Sequence, residues 1–145
     1  MSECGAILFA EDNAKDVELV LETLAESHFP NRVVHVKDGV KALEYLRCEG
    51  EYKSRESGNP AVTVLDLKMP RMDGFGVLSA IRSDPSLKYI PVVMLTSSQE
   101  ERDIIRSYEL GTNAYVVKPV RFSDFINAIR LIGKFWFMLN EPPGV

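Results

Sequence analysis

Cysteine, histidine and tryptophan are scarce: the 145-residue chain has two, two and one of them. Cys4 and Cys48 lack the paired spacing of a zinc site, and in a reducing compartment they read as free thiols. His28 and His35 read as surface or strand residues away from the acidic positions discussed below, so no histidine-ligated metal is expected. No Lys/Arg-rich block occurs, and 21 acidic against 17 basic residues leave a formal charge of -4, which provides no field for nucleic acid. No apolar run approaches the roughly 18 residues of a membrane span, and no basic start leads into an apolar stretch as in a secretion signal. A cytoplasmic protein with no membrane or nucleic-acid partner is expected. No Gly/Pro/Ser-rich linker divides the chain, so residues 1–145 are expected to form a single domain, without an effector module.

What is present is an alternation of short β-rich runs with segments of helical period. Ala6-Ile7-Leu8-Phe9-Ala10 meets the acidic pair Glu11-Asp12, after which Val17, Val20, Leu21 and Leu24 recur at helical spacing, with Asn13 as a candidate cap. Arg32 to Val36 reads as a second strand, and Asp38-Gly39 turns the chain into a helix carrying Val40, Leu43 and Leu46. Glu49 to Pro60 is charged and turn-forming and reads as a long exposed connection. The run Ala61 to Leu65 ends in Asp66, and a short helix bearing Phe75, Leu78 and Ile81 follows Asp73-Gly74, which reads as a turn and helix start without chemistry. Pro91 to Thr96 is a fourth strand. Ser98 and Glu101 have the spacing of a capping box for a helix expected to bury Ile104, Ile105 and Tyr108. Ala114 to Lys118 is a fifth strand, and an extended helix over about 123–139, followed by a short tail, closes the chain.

Strands apolar on both faces, alternating with helices, call for a parallel sheet covered on both sides, an α/β doubly wound fold. Right-handed crossovers put every strand's C-terminal end on one edge, where ligands of open α/β sheets bind. That edge collects Glu11, Asp12, Asp66, Thr96 and Lys118. Crowded carboxylates repel, and a hard divalent ion relieves them; Mg²⁺ takes oxygen ligands and favours sites where a phosphoryl group supplies more of them. Lys118 and Thr96 are groups that stabilise phosphoryl oxygens. With Asp66 as acceptor the set suits phosphoryl transfer through an aspartyl phosphate, a reaction governed by positioning and charge neutralisation. Singly, each residue has a plainer explanation: Asp12 or Asn13 as a cap, Thr96 as a strand end, Lys118 as a surface charge, Tyr115 and Tyr108 as half-buried aromatics.

The acidic pair Glu11-Asp12, the Asp66 segment with Met69-Pro70 and Asp73-Gly74, Thr96-Ser97 and Lys118-Pro119 together resemble the receiver domain of two-component response regulators. The likeness covers essentially the whole chain. It is similar above all to small single-domain regulators partnered with phytochrome-type kinases, through the long connection after the second helix, Arg106 to Gly111, and the ending from Phe135-Trp136 to Pro142-Pro143. The resemblance implies a flavodoxin-like sheet in the order 2-1-3-4-5. It also implies a histidine kinase as phosphodonor to Asp66, Mg²⁺ held by Glu11, Asp12, Asp66 and the backbone carbonyl of Lys68, and Thr96 and Lys118 on the phosphoryl oxygens. Tyr115 would report the state of Asp66 to the face made by the fourth helix, fifth strand and fifth helix, and a cis bond is expected before Pro119. Ala14 departs from the proline common in relatives. Lys68 and Ser98 stand where side chains flank the attacking water and bear on the rate of dephosphorylation.

Two other classes compete with a non-enzymatic signalling phosphoacceptor. A small phosphoesterase using an Asp66 aspartyl-phosphate intermediate would need a substrate cap, for which the polar segment before Pro60 is the candidate. A phosphorylation-independent scaffold would not need Glu11, Asp12 and Lys118. Between Phe125 and Leu139 apolar residues are too many for one core-facing stripe, so the last helix and the adjacent face are expected to pair in a homodimer.

Overall fold

The computed structural model describes residues 5–26, 32–56 and 58–118, together with positions 121, 124 and 127. Five strands, β1 (Ile7–Ala10), β2 (Val33–Val36), β3 (Val62–Leu65), β4 (Val92–Thr96) and β5 (Ala114–Val117), form one parallel sheet in the order β2-β1-β3-β4-β5. Helices α1 (Ala14–Glu26), α2 (Gly39–Arg47), α3 (Gly74–Ser83) and α4 (Glu101–Glu109) connect them in turn. The flavodoxin-like α/β order expected from the sequence is the one observed. Ile7 pairs with Val33 on one side and Val62 on the other, and Val93 with Ala114, so the strand ends stay level across the sheet.

The two-residue period of the strands divides the core. Leu8, Ala10, Leu65, Val92 and Met94 face α2 and α3, where Leu43, Leu46, Val77, Leu78 and Ile81 meet them. Ile7, Phe9, Val62, Val64, Val93 and Leu95 face the other way and pack with Val17 and Val20 of α1. Leu21, part of the same helical pattern, is instead exposed.

The helix starts follow from local chemistry. Asn13 Oδ1 accepts from the N–H groups of Lys15 and Asp16 and caps α1. Asp38 accepts from Lys41 N–H at α2, and Asp73 from Gly76 N–H at α3. The capping box expected from Ser98 and Glu101 does not form. The helix begins two residues later, capped by Glu100 without a side-chain bond. Ser98 is held elsewhere: its N–H donates to Thr96 Oγ1 (3.3 Å), its hydroxyl to Asp103 (2.6 Å), and its carbonyl accepts from Tyr115 (3.0 Å). Burial of Ile105 and Tyr108 is likewise corrected, since they are 50% and 52% exposed. The short polar helix α4 turns inward mainly at Ser107, whose hydroxyl bonds back to Asp103 O.

The segment before Pro60 is also less free than its composition suggests. It carries a short 3₁₀ turn over Gly50–Tyr52, Tyr52 meets Tyr45 edge-on at 5.3 Å, and Arg55 stacks 4.1 Å over Tyr45 while donating to its carbonyl (2.7 Å). Long polar side chains hide their ring and stem contacts from a composition count. The extended last helix, its apolar set over 125–139, the bond before Pro119, Cys4 and His28 lie outside the described residues, apart from the helical positions Asp124 and Asn127.

Candidate functional site

Backbone pairing carries past the strand ends and sets the site. Glu11 N–H donates to Val36 O, Asp66 N–H to Ala10 O and Lys118 N–H to Thr96 O, at 3.1, 3.1 and 2.8 Å. Each of these residues is thereby fixed one step beyond its strand, on the C-terminal edge. The turn after Asp66 needs a glycine at position 74, where a Cβ would stand 2.5 Å from Asp66 O. The same turn places Arg71 at φ 65, and a double contact with Asp38 (3.1 and 3.2 Å) holds it there.

Glu11 is fully buried, Asp66 is 8% exposed and Asp12 faces solvent. One carboxylate oxygen from each lies within 4.8 Å of the others. Lys118 Nζ stands 2.6 Å from Glu11 Oε1, 2.8 Å from Asp16 Oδ2 and 3.6 Å from Asp66 Oδ2. Burial, then the hydrogen bond and repulsion of Asp66, push the Glu11 carboxyl up to about 7 against the pull of Lys118. Burial alone would lower Lys118, but hydrogen bonds to Asp16 and Glu11 and the field of the carboxylates outweigh it and hold the ammonium above the ordinary lysine range. A cavity of about 630 Å³ opens over Asp12, Asp16, Asp66 and Lys118 and is bordered also by Asn13, Lys68 and Ser97.

Glu11, Asp12, Asp66 and Lys118 are thus brought together as expected, and Lys68 borders the same cavity. Thr96 ends β4, 1% exposed, with its hydroxyl engaged by Ser98 N–H. Tyr115 on β5 reaches Ser98 O through its own hydroxyl, and burial raises its phenol. Asp16, in the first turn of α1, is a further carboxylate at this edge, which the rule collecting strand ends does not point to because it stands on a helix. His35 is not remote, because its Nε2 lies 2.8 Å from Glu11 O; it nonetheless stands outside the acidic cluster among the described residues.

The donor set suits a hard cation. Three carboxylates crowd one point, one of them shielded from water and driven toward its protonated form by its neighbours, and bound Mg²⁺ or a similar ion would supply the compensating charge. Among the described residues, the segment before Pro60 expected as a phosphoesterase's cap does not line the cavity over Asp66. The segment before Pro60 joins the end of α2 to the start of β3, on the sheet edge opposite the carboxylates, and its Asn59 bonds Ser86 O.

The chain resembles known proteins over nearly its whole length. Response regulator Rcp1 of Synechocystis sp. is 40% identical over 130 residues, spanning 90% of this chain and 87% of that protein. A solved structure of Rcp1 in its Mn²⁺-bound form superposes with a TM-score of 0.78 at 38% identity, covering 97% and 99% of the two chains. The bacteriophytochrome response regulator RtBRR superposes at 0.81 with 55% identity over 99% and 85% of the chains. The phosphorylated cyanobacterial phytochrome response regulator RcpA superposes at 0.79 with 42% identity over 97% and 99%. The response regulator receiver domain model matches residues 7–130, and with the sheet order and the acidic edge described above, the chain belongs to the response regulator receiver domain family of two-component systems.

Proposed function

We propose that Asp66 is the phosphoacceptor of this response regulator. A carboxylate oxygen of Asp66 attacks the phosphorus of a histidine kinase phosphohistidine; the new P–O bond replaces the P–N bond, and the imidazole leaves. The carboxylates of Glu11, Asp12 and Asp66 and the backbone carbonyl of Lys68 would hold Mg²⁺, whose chemistry here is to neutralise charge on the phosphoryl oxygens. Lys118 and Thr96 stabilise those oxygens, and Tyr115 carries the change toward α4. The observation that carries the reading is the convergence of Glu11, Asp12 and Asp66 within 4.8 Å, with Lys118 3.6 Å from Asp66.

The similarity to RtBRR and RcpA, both phytochrome response regulators by name, supports a phytochrome-type kinase as donor. We read residues 1–145 as a single cytoplasmic receiver domain that signals by protein contact and does not bind nucleic acid. Among the described residues no helix is long and apolar enough to cross a membrane. The excess of apolar residues between Phe125 and Leu139 supports a homodimer through the last helix.

Intact mass after incubation with acetyl phosphate and Mg²⁺ tests the acceptor. One phosphoryl adduct is expected on the wild-type chain and none on Asp66→Asn or in excess chelator. An adduct that survives Asp66→Asn, or no adduct on the wild type, overturns the assignment. Sedimentation of the same samples at micromolar concentration should give a dimer, and a monomer in both phosphorylation states removes that part.

A further inference from the structure

We propose that Asp16 is a positioning residue for this site, a resting-state counter-ion that holds the Lys118 ammonium toward α1 and away from Asp66. The inference rests on the reading of Asp66 as acceptor. Lys118 Nζ makes two short charge-assisted contacts, with Glu11 (2.6 Å) and Asp16 (2.8 Å), and only a long ion pair with Asp66 (3.6 Å). The two short partners are not equivalent. Glu11 belongs to the acidic cluster and would be engaged by a bound cation, whereas Asp16 lies outside it. With the ion in place, Asp16 is the carboxylate that still competes for the ammonium.

Asp16 cannot follow Lys118 toward Asp66. Its N–H is bonded to the Asn13 cap (3.1 Å), so its backbone is set by the first turn of α1. The lysine stem is flexible and the aspartate short, hence the ammonium moves and the carboxylate stays. The pair is partly sheltered, with side chains 17% and 31% exposed, so water screens it incompletely. Asp16 thereby opposes the phosphorylated form in two ways, by holding the cation that a phosphoryl group needs and by adding negative charge beside it. The same charge favours a metal ion. Its removal should therefore raise anion affinity without raising cation affinity, a split that a purely structural role would not produce.

The test compares wild type with the isosteric Asp16→Asn, titrated with beryllofluoride at saturating Mg²⁺ and, separately, with Mg²⁺ alone. Beryllofluoride should bind roughly three- to ten-fold more tightly to the variant, and Mg²⁺ at equal or lower affinity. Asp16→Ser, which keeps a hydrogen-bonding side chain in the first helical turn, should shift both in the same directions and guards against a folding defect in one variant. In a Lys118→Ala background the gain from Asp16→Asn should fall below about two-fold, because most of the effect runs through the ammonium and only the bare charge of Asp16 remains. Unchanged or weaker beryllofluoride binding in both Asp16 variants overturns the proposal, as does an equal gain without Lys118. Wild-type protein that binds Mg²⁺ but no beryllofluoride overturns the reading of Asp66 itself, and this inference with it.

Discussion

Two groups of charges sit on opposite terms in this molecule. At the C-terminal edge of the sheet, Glu11, Asp16 and Asp66 share Lys118, Asp12 adds a further carboxylate to the cluster, and the buried Glu11 is driven up to about 7 by burial and by Asp66. On the α2 and α3 flank, Asp38 and Arg82 each have several partners. Asp38 loses water too, which alone would raise it, yet Lys41 N–H and the Arg71 guanidinium hold it below the usual carboxylate range. Arg82 donates to the carbonyls of Gly111, Lys88 and Ile90 and to Asn113 Oδ1, tying α3 to the loops that lead into β4 and β5. Burial is common to both regions and partners are not. A carboxylate group left short of cations is a stability cost that a divalent ion can remove, so the crowded edge is built for ligands and the flank for rigidity.

Charge removal should therefore have opposite signs in the two regions. The largest effect is expected at Glu11. Its folded value of about 7 exceeds the ordinary 4.5, so the folded state keeps a proton that the unfolded chain gives up. This contribution is complete below the unfolded value and is lost as pH rises through the folded one. Urea unfolding in chelator at pH 5 and pH 8 should show wild type losing about 2–3 kcal/mol relative to Glu11→Gln over that interval. Mg²⁺ should recover part of the loss at pH 8 for wild type only. A pH-independent difference between the two proteins would remove the crowding argument.

Arg82→Ala should act the other way, destabilising by about 2–3 kcal/mol because several acceptors lose one donor together. Mg²⁺ affinity should stay unchanged, and a coupled loss of metal binding would show that flank and edge are not separate. The smallest effect is expected at Asp38→Asn, about 1 kcal/mol at pH 7 through a weakened cap and ion pair. Since Asp38 is depressed from its ordinary 3.8, its contribution is present above that pH and is lost as pH falls through the folded value. The wild-type advantage should thus shrink in acid, the reverse of the Glu11 trend.

Most of the sheet was legible from punctuation and period. Strands with two apolar faces, set off by Asp38-Gly39 and Asp73-Gly74, announced a parallel sheet, and the crossover rule placed Asp66 with Glu11, Asp12 and Lys118. Several misreadings arose where a side chain found a partner outside the pattern of its own element. Ser98 has the spacing of a helix cap but is drawn away by Thr96, Asp103 and Tyr115. Arg55 makes an apparently free connection into a pinned one by stacking on Tyr45. His35 reaches the carbonyl of Glu11 from the neighbouring strand.

The sequence by itself determined the element order, the parallel topology and which residues share the C-terminal edge, because those follow from local periodicity and chain handedness. Only the tertiary structure decided which carboxylate Lys118 takes and which carboxyl keeps its proton. Glu11 and Lys118 are 107 residues apart along the chain and 2.6 Å apart in space, and Coulomb energies and desolvation depend on that distance, on burial and on the competing Asp16, none of which has a signature in sequence spacing.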